Sequence, residues 1–314
     1  MAVRVAFFGT PAFAVPTLEH LVRSHHPVAG VITQPDRPRG RGQQVSDAPV
    51  KALAVTLGLP VLQPERLARD VFENPFAQLR ADIGVVAAYG KILPDWLLAT
   101  PRLGLINVHA SLLPKYRGAS PVHRAVINGD AETGVTIMRV VKALDAGPML
   151  AHVRIPIHQD DTTTALEAAL AVRGAELLVQ TLDDIDAGRA TETPQDEALV
   201  TYAPKLTKAE GLIDWQRPAG QVHNLVRGLW PWPHAYTFVD GTRIILHRTR
   251  RSDHAASAPA GTILAASAAD GLHVACGDGA VEILELQLEG KRVMSARDAM
   301  ASRLLTAGGR FSTP

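Results

Sequence analysis

Apolar residues in the first half of the chain gather in short runs, separated by stretches with a helical period. Residues 4–8 predict a strand, 11–23 a helix with Pro11 near its first turn, and 28–33 a second strand. The pattern continues with a helix near 48–57, a short strand around 59–61 and a helix near 65–79. Strands follow at 82–88, 104–109 and 134–140, with a helix near 120–128 between the last two and a long helix over 162–185. Strands that alternate with helices predict an α/β fold with a doubly wound, mostly parallel sheet.

The periodicity fades over 189–206, which reads as a linker, and the character of the chain then changes. A helix near 218–229 precedes short β-type runs at 235–239, 243–248, 261–265, 272–276 and 280–288. Asp-Gly pairs at 240–241, 270–271 and 278–279 sit between several of them and mark turns. Closely spaced strands with glycine turns predict a small C-terminal β-barrel, OB-like in type. The expected division is therefore 1–188, a linker at 189–206, and 207–314.

Bulk properties narrow the picture. A chain of 314 residues suggests two domains, and 46% hydrophobic with 20% charged residues is the composition of a soluble globular protein. No apolar run approaches the roughly 18–20 residues of a membrane span. The N-terminal segment lacks the basic start and cleavage site of a secretory leader and reads as a first strand. The single cysteine, Cys276, excludes an internal disulfide and any multi-cysteine metal site, so a cytoplasmic location is expected. Net charge is +1, which announces no nucleic-acid partner. Positive charge is nevertheless clustered: Arg37, Arg39 and Arg41 lie among glycines and prolines, and Arg243, Arg248, Arg250 and Arg251 lie in one β-type run. Each cluster by itself is as compatible with a solvated face as with a phosphate contact.

The segment GLINVHASLLPKYRGASP, residues 104–121, carries the candidate chemistry. Its apolar strand ends in Asn107 and His109, two apart and so on one face, at the carboxyl end where open α/β sheets place their ligands. An amide can donate to a developing oxyanion, and an imidazole suits proton transfer near neutrality. Asp145, in the turn after the 134–140 strand, can reach the His109 ring if neighbouring strands carry both segments. Read singly, His109 is an ordinary strand-end histidine and Asp145 an ordinary turn residue. Ser111 has no nucleophile elbow around it, so the trio points to direct acyl transfer rather than a covalent acyl-enzyme. The turn FFGTPAFAVP has no G-x-G-x-x-G, and there is no P-loop, H-E-x-x-H or C-x-x-C, which speaks against a nicotinamide enzyme and a catalytic metal.

FFGTPAFAVPTL, VITQPDRPRGRGQQ, VVAAYGKILP, the 104–138 segment, LDAGPML, YAPKLTKAEGLIDW and WPWPHAY together resemble the methionyl-tRNA formyltransferase family over nearly the whole chain. The resemblance implies formyl transfer from 10-formyltetrahydrofolate to the amine of charged initiator methionyl-tRNA, with Asn107, His109 and Asp145 as the catalytic trio. It implies a folate site lined by Ser111, Leu112, Leu113 and Pro114. It also implies a loop carrying Arg37, Arg39 and Arg41 that meets the tRNA acceptor end, with Arg41 the family's loop arginine. Arg39 stands where a small residue is expected. A C-terminal domain holding tRNA through basic residues such as Arg248 and Arg250 completes the picture, with a monomer expected. Residues 205–314 carry 13 Lys and Arg against 10 Asp and Glu, a mild excess in the same direction. Trp215, Trp230 and Trp232 are expected to pack rather than stack on bases, given the prolines beside two of them. Three other readings are weaker: the arginine loop and the barrel argue against a formyltransferase acting on a small amine such as a sugar nucleotide, the intact Asn107, His109 and Asp145 set against a non-catalytic RNA-binding protein, and the missing glycine fingerprint against a nucleotide-dependent oxidoreductase.

Overall fold

The computed structural model describes residues 2–36, 38–39, 44–45, 47–254, 258–302 and 304–312. By contact the chain forms two compact units, the first comprising residues 1–118, 133–155 and 167–202, the second 119–132, 156–166 and 203–314.

The first unit is built on a seven-stranded sheet. Its strands are β1 (Val5–Gly9), β2 (Val28–Ile32), β3 (Val61–Leu62), β4 (Ile83–Ala87), β5 (Leu105–His109), β6 (Glu132–Arg139) and β7 (Met149–Pro156), in the spatial order β7-β6-β5-β4-β1-β2-β3. Pairings from β3 through β5 are parallel, while β6 runs antiparallel to β5. The parallel strands are buried almost throughout, which fits near-continuous apolar runs covered on both faces. That is what makes an amide and an imidazole at the end of β5 unusual. Helices α1 (Val15–Arg23), α2 (Pro49–Thr56), α3 (Arg69–Ala77) and α5 (Thr163–Asp186) follow the predicted pattern, as does α4 (Pro121–Asn128) in the second unit. Proline occupies the first turn of α1, α2 and α4, where its missing N–H removes nothing from the helix. For α5, the Thr162 hydroxyl accepts from Ala165 N at its start, and Gly188, at φ +67, ends it. Phe8, Phe72, Phe76, Tyr89 and Trp96 form an aromatic core beside the sheet. Burial pushes the Tyr89 phenol up to about 12, and its hydroxyl has no partner among the described residues.

The second unit centres on α6 (Ala219–Gly228) and a sheet of β8 (Ala235–Val239), β9 (Thr242–Ser252), β10 (Ile263–Ser267), β11 (Gly271–Ala275), β12 (Ala280–Leu288) and β13 (Met294–Ser295). Every pairing along the order β8-β9-β12-β11-β10 is antiparallel, and β13 pairs with β12. Register shifts between Leu246 and Thr249 bend the long β9. Trp215 stacks on Phe311 at 5.3 Å and donates Nε1 to Thr237, as packing predicts. Trp230 lies against His234 and His247, but Trp232 is 47% exposed and departs from that expectation. No described helix is long and apolar enough to cross a membrane.

Candidate active site

Three segments of the first unit converge at the carboxyl end of β5. Residues 107 and 109 face the same way by strand period, and β6 lies antiparallel alongside with Met138 opposite Asn107 and Thr136 opposite His109. The Asn107 amide has no hydrogen-bond partner among the described residues, so its donor is free for a ligand. His109 is 6% exposed. Its Nε2 lies 3.1 Å from the Tyr116 carbonyl, and since a carbonyl only accepts, that nitrogen carries a proton. Nδ1 lies 3.8 Å from Asp145 Oδ2. The expected juxtaposition of His109 and Asp145 is thus present, as a close approach rather than a tight hydrogen bond.

Asp145 sits at φ +47, a left-handed conformation that an aspartate tolerates but that needs holding. Two contacts supply this. Oδ2 accepts from Gly118 N at 2.9 Å, and the Asp145 carbonyl accepts from Gln195 Nε2 at 2.8 Å. Gln195 also donates to the Gly147 carbonyl and accepts from Arg117 Nε, and Arg117, 4% exposed, pairs with the far more exposed Glu197. Gly147 is required where the turn folds back: a Cβ there would lie 1.9 Å from the Arg139 carbonyl oxygen.

The Ser111–Pro114 turn is tied to β6 through Thr136. Its fully buried hydroxyl donates to the Ser111 carbonyl at 2.7 Å and accepts from Leu113 N at 3.1 Å. The Ser111 hydroxyl donates to the Lys115 carbonyl at 2.7 Å, a commitment that speaks against its use as a nucleophile. Leu112 and Pro114 are half-buried and Leu113 is buried, the last joined to Pro114 by a cis peptide. Gly134 makes room for Leu112, whose Cδ2 would lie 2.5 Å from a Cβ at that position.

Of the arginines expected to contact tRNA, the structure describes the side chains of Arg248 and Arg250. Arg37 and Arg41 lie outside the described residues, and only the backbone of Arg39 falls within them, where Pro38–Arg39 pairs with Gln44–Val45. Arg248 and Arg250 share a face of β9 and are largely exposed, but each has an acid across the sheet, Glu285 at 3.9 Å and Glu282 at 2.5 Å. Their charge is not unopposed. A depression of about 850 Å³ on the second unit is lined by Arg250, Ser252, His254, Asp270, His273 and Glu282. Its charges are mixed, and the His273 nitrogens are already taken by Ser252 Oγ and the Asp270 carbonyl.

Among the described residues, His25, His26 and Asp183 alone gather three potential metal ligands. Val3 N donates to His26 Nδ1, which leaves the ring proton on Nε2, and that N–H points at Asp183 at 3.0 Å. A metal at Nε2 would have to displace the only proton of the ring, so the arrangement suits a hydrogen bond rather than coordination.

Sequence reasoning did not single out Thr136, Tyr116, Gly118, Arg117 or Gln195. Thr136 had one available signal, a polar residue at a strand position whose neighbours are apolar. The others act through backbone atoms or across long sequence separations, which no local pattern encodes.

A family model described as "Formyl transferase" matches residues 3–182, and another described as "Formyl transferase, C-terminal domain" matches 205–304. The methionyl-tRNA formyltransferase of Methylococcus capsulatus is 48% identical over 311 residues, which cover 99% of this chain and 100% of that protein. Two solved structures share the fold. The N-formyltransferase of Helicobacter canadensis, in complex with folinic acid and dTDP-3-aminofucose, superposes with a TM-score of 0.67 at 17% identity, covering 90% of this chain and 98% of that one. HypX of Aquifex aeolicus, in complex with tetrahydrofolic acid, gives a TM-score of 0.66 at 16% identity; the match covers 96% of this chain but 47% of HypX.

Proposed function

Because this chain belongs to the formyl transferase family, we propose that it moves the formyl group of 10-formyltetrahydrofolate to the α-amine of methionyl initiator tRNA. The observation that carries the chemistry is the convergence of a free amide, a buried imidazole and a restrained carboxylate at one sheet edge. The choice of acceptor rests on the relative that is 48% identical end to end and on the C-terminal domain match.

The amine nitrogen attacks the formyl carbon, and a tetrahedral intermediate forms with charge on the former carbonyl oxygen. Asn107 donates to that oxygen. His109, its Nε2 fixed on Tyr116 and its Nδ1 turned to Asp145, presents its ring to the same centre. The bond from carbon to N10 of the folate then breaks. The proton lost by the amine passes through the His109–Asp145 pair or water to the departing N10 nitrogen. No serine or cysteine takes the acyl group, in keeping with the committed Ser111 hydroxyl. The Ser111–Pro114 turn borders the folate, residues 1–188 carry the chemistry, and the arginine loop with residues 207–314 engages the tRNA; a monomeric cytoplasmic enzyme fits this reading.

Formyl transfer is measured with charged initiator tRNA, uncharged tRNA, free methionine and a nucleotide-linked amino sugar in parallel. Formylation of the charged tRNA alone is expected. Asn107→Ala lowers kcat by about 10²- to 10³-fold, the usual cost of one oxyanion donor, with tRNA binding within about twofold of the parent. Equal losses in turnover and binding contradict the assigned role, and transfer to the amino sugar instead contradicts the acceptor.

A further inference from the structure

Within the stretch expected to be linker, Gln195 differs from its neighbours. Among residues 191–199, all of them described, it alone is half-buried and the others are exposed. Its side chain joins three points of the first unit. Nε2 donates to the Asp145 carbonyl and to the Gly147 carbonyl, each at 2.8 Å, and Oε1 accepts from Arg117 Nε at 3.0 Å. These partners fix the orientation of the amide, because carbonyls only accept and a guanidinium only donates. Among side chains of this length, only glutamine supplies two donors and an acceptor.

The three bonds bear on one carboxylate oxygen. Asp145 Oδ2 accepts from Gly118 N at 2.9 Å and lies 3.8 Å from His109 Nδ1, so the Gly118 amide and the imidazole share it. Gln195 links the backbone that carries this oxygen to Arg117, the residue directly before Gly118. Asp145 and Tyr116, whose carbonyl accepts from the other ring nitrogen of His109, both sit at left-handed φ, +47 and +64. A non-glycine residue keeps such a φ when its surroundings impose it. The same segment restrains both, through Gln195 at the Asp145 carbonyl and through Thr201 Oγ1, which accepts from Tyr116 N at 2.9 Å. Residues 141–144, which lead into the Asp145 turn, are all exposed, so packing supplies little restraint there.

We propose that Gln195 is a positioning residue for formyl transfer: its amide ties the Asp145 turn to Arg117 and so sets where the carboxylate stands against His109. This rests on the reading of His109 and Asp145 as the pair that handles the proton. A displacement of about 1 Å at such a site costs up to about 10²-fold in rate. The loss falls on kcat rather than on KM, because the bonds of the Gln195 amide are made to the protein itself.

The full-length protein is compared with Gln195→Met, which keeps the length and removes all three bonds, and with Gln195→Glu. The ionised glutamate can still accept from Arg117 but cannot donate to the two carbonyls. Each change is also placed in an Asp145→Asn background. Melting curves, kcat and both KM values are measured with 10-formyltetrahydrofolate and the amine that the parent formylates, charged initiator tRNA by the reading above. Each single variant is expected to lose about 10- to 100-fold in kcat, with both KM values within about twofold of the parent. In the Asp145→Asn background the same changes are expected to cost less than about twofold, since the carboxylate they displace is already gone. Gln195→Glu is expected to melt close to the parent, so it carries the test even where Gln195→Met folds poorly. Full kcat in Gln195→Glu overturns the proposal, because the contact with Arg117 is then sufficient. An equal loss with and without the Asp145 carboxylate overturns it too, as do KM values that rise in step with the fall in kcat. A parent chain that formylates no amine removes the functional reading itself, and the proposal with it.

Discussion

Replacing Thr136 by valine tests whether the folate-side turn is held as described. The substitution keeps the shape of a fully buried side chain and removes one hydroxyl. That hydroxyl serves the Ser111 carbonyl and the Leu113 N–H at once, so two backbone groups lose their partner in a dry environment. Each orphaned group costs about 1–3 kcal/mol, giving a loss on the order of 2–6 kcal/mol from a domain stability of roughly 5–15 kcal/mol. Thr136→Ser is the control: it retains the hydroxyl and gives up one methyl, at a cost of about 1 kcal/mol. Urea unfolding measures the stabilities, and native-state hydrogen exchange follows the Leu113 amide. The valine variant is expected to shift the midpoint by about 1 M or more, to expose the Leu113 amide by at least a hundredfold and to raise the folate KM, whereas the serine variant does little. A valine variant within about 1 kcal/mol of the parent, or a serine variant equally damaged, refutes the argument that this hydroxyl pins the turn.

Gly147→Ala brings a Cβ to 1.9 Å from the Arg139 carbonyl, so the Asp145 turn must move; turnover is expected to fall more than tRNA affinity, and retained kcat would show that the turn has slack. Cys276 is buried and its thiol is pushed up to about 12, which leaves a thiolate fraction of about 10⁻⁴ at pH 8; a disulfide reagent should therefore label it only after unfolding, and prompt labelling of the native protein counts against the described core. Burial depresses His123, His223, His234 and His247 in the second unit below the usual 6.5. The unfolded chain then binds more protons than the folded one, so stability present at pH 7.5 is lost as pH falls below about 6.5. Calorimetry from pH 7.5 to 5.5 should show the second unit melting progressively earlier, and a flat profile contradicts the burial of these rings.

The hydrophobic pattern located most elements because strand and helix periods are properties of contiguous residues. The strands at 235–239 and 280–288 and the helix near 120–128 match closely for that reason. Strand β7 was not foreseen: its exposed positions alternate with partly buried ones, and Pro148 precedes it, so the apolar signal is weak. Asn107 and His109 were legible as a polar pair at the end of an apolar strand. Asp145 needed the additional fact that β6 lies beside β5, which periodicity alone does not supply. The outer support was hidden more deeply. Gln195, Glu197 and Thr201 lie in the stretch expected to be linker, yet they serve Asp145, Arg117 and Tyr116 from 50 to 85 residues away. Polar residues without a period look alike whether they are solvated or bonded to a distant turn.

The second unit has an unusual order of manufacture. Its pieces at 119–132 and 156–166 precede the main body at 203–314, so a ribosome delivers them well before their partners. Helix α4 leaves the exit tunnel early with Arg124, whose guanidinium awaits Glu210. The His158 and Asp161 carbonyls likewise await Arg227, the nearly buried cation they receive from α6. Vectorial synthesis therefore lets the central parallel strands pair first and holds two short early segments in reserve. A nascent chain stalled before residue 203 is expected to be stable only where it does not depend on what has yet to be translated.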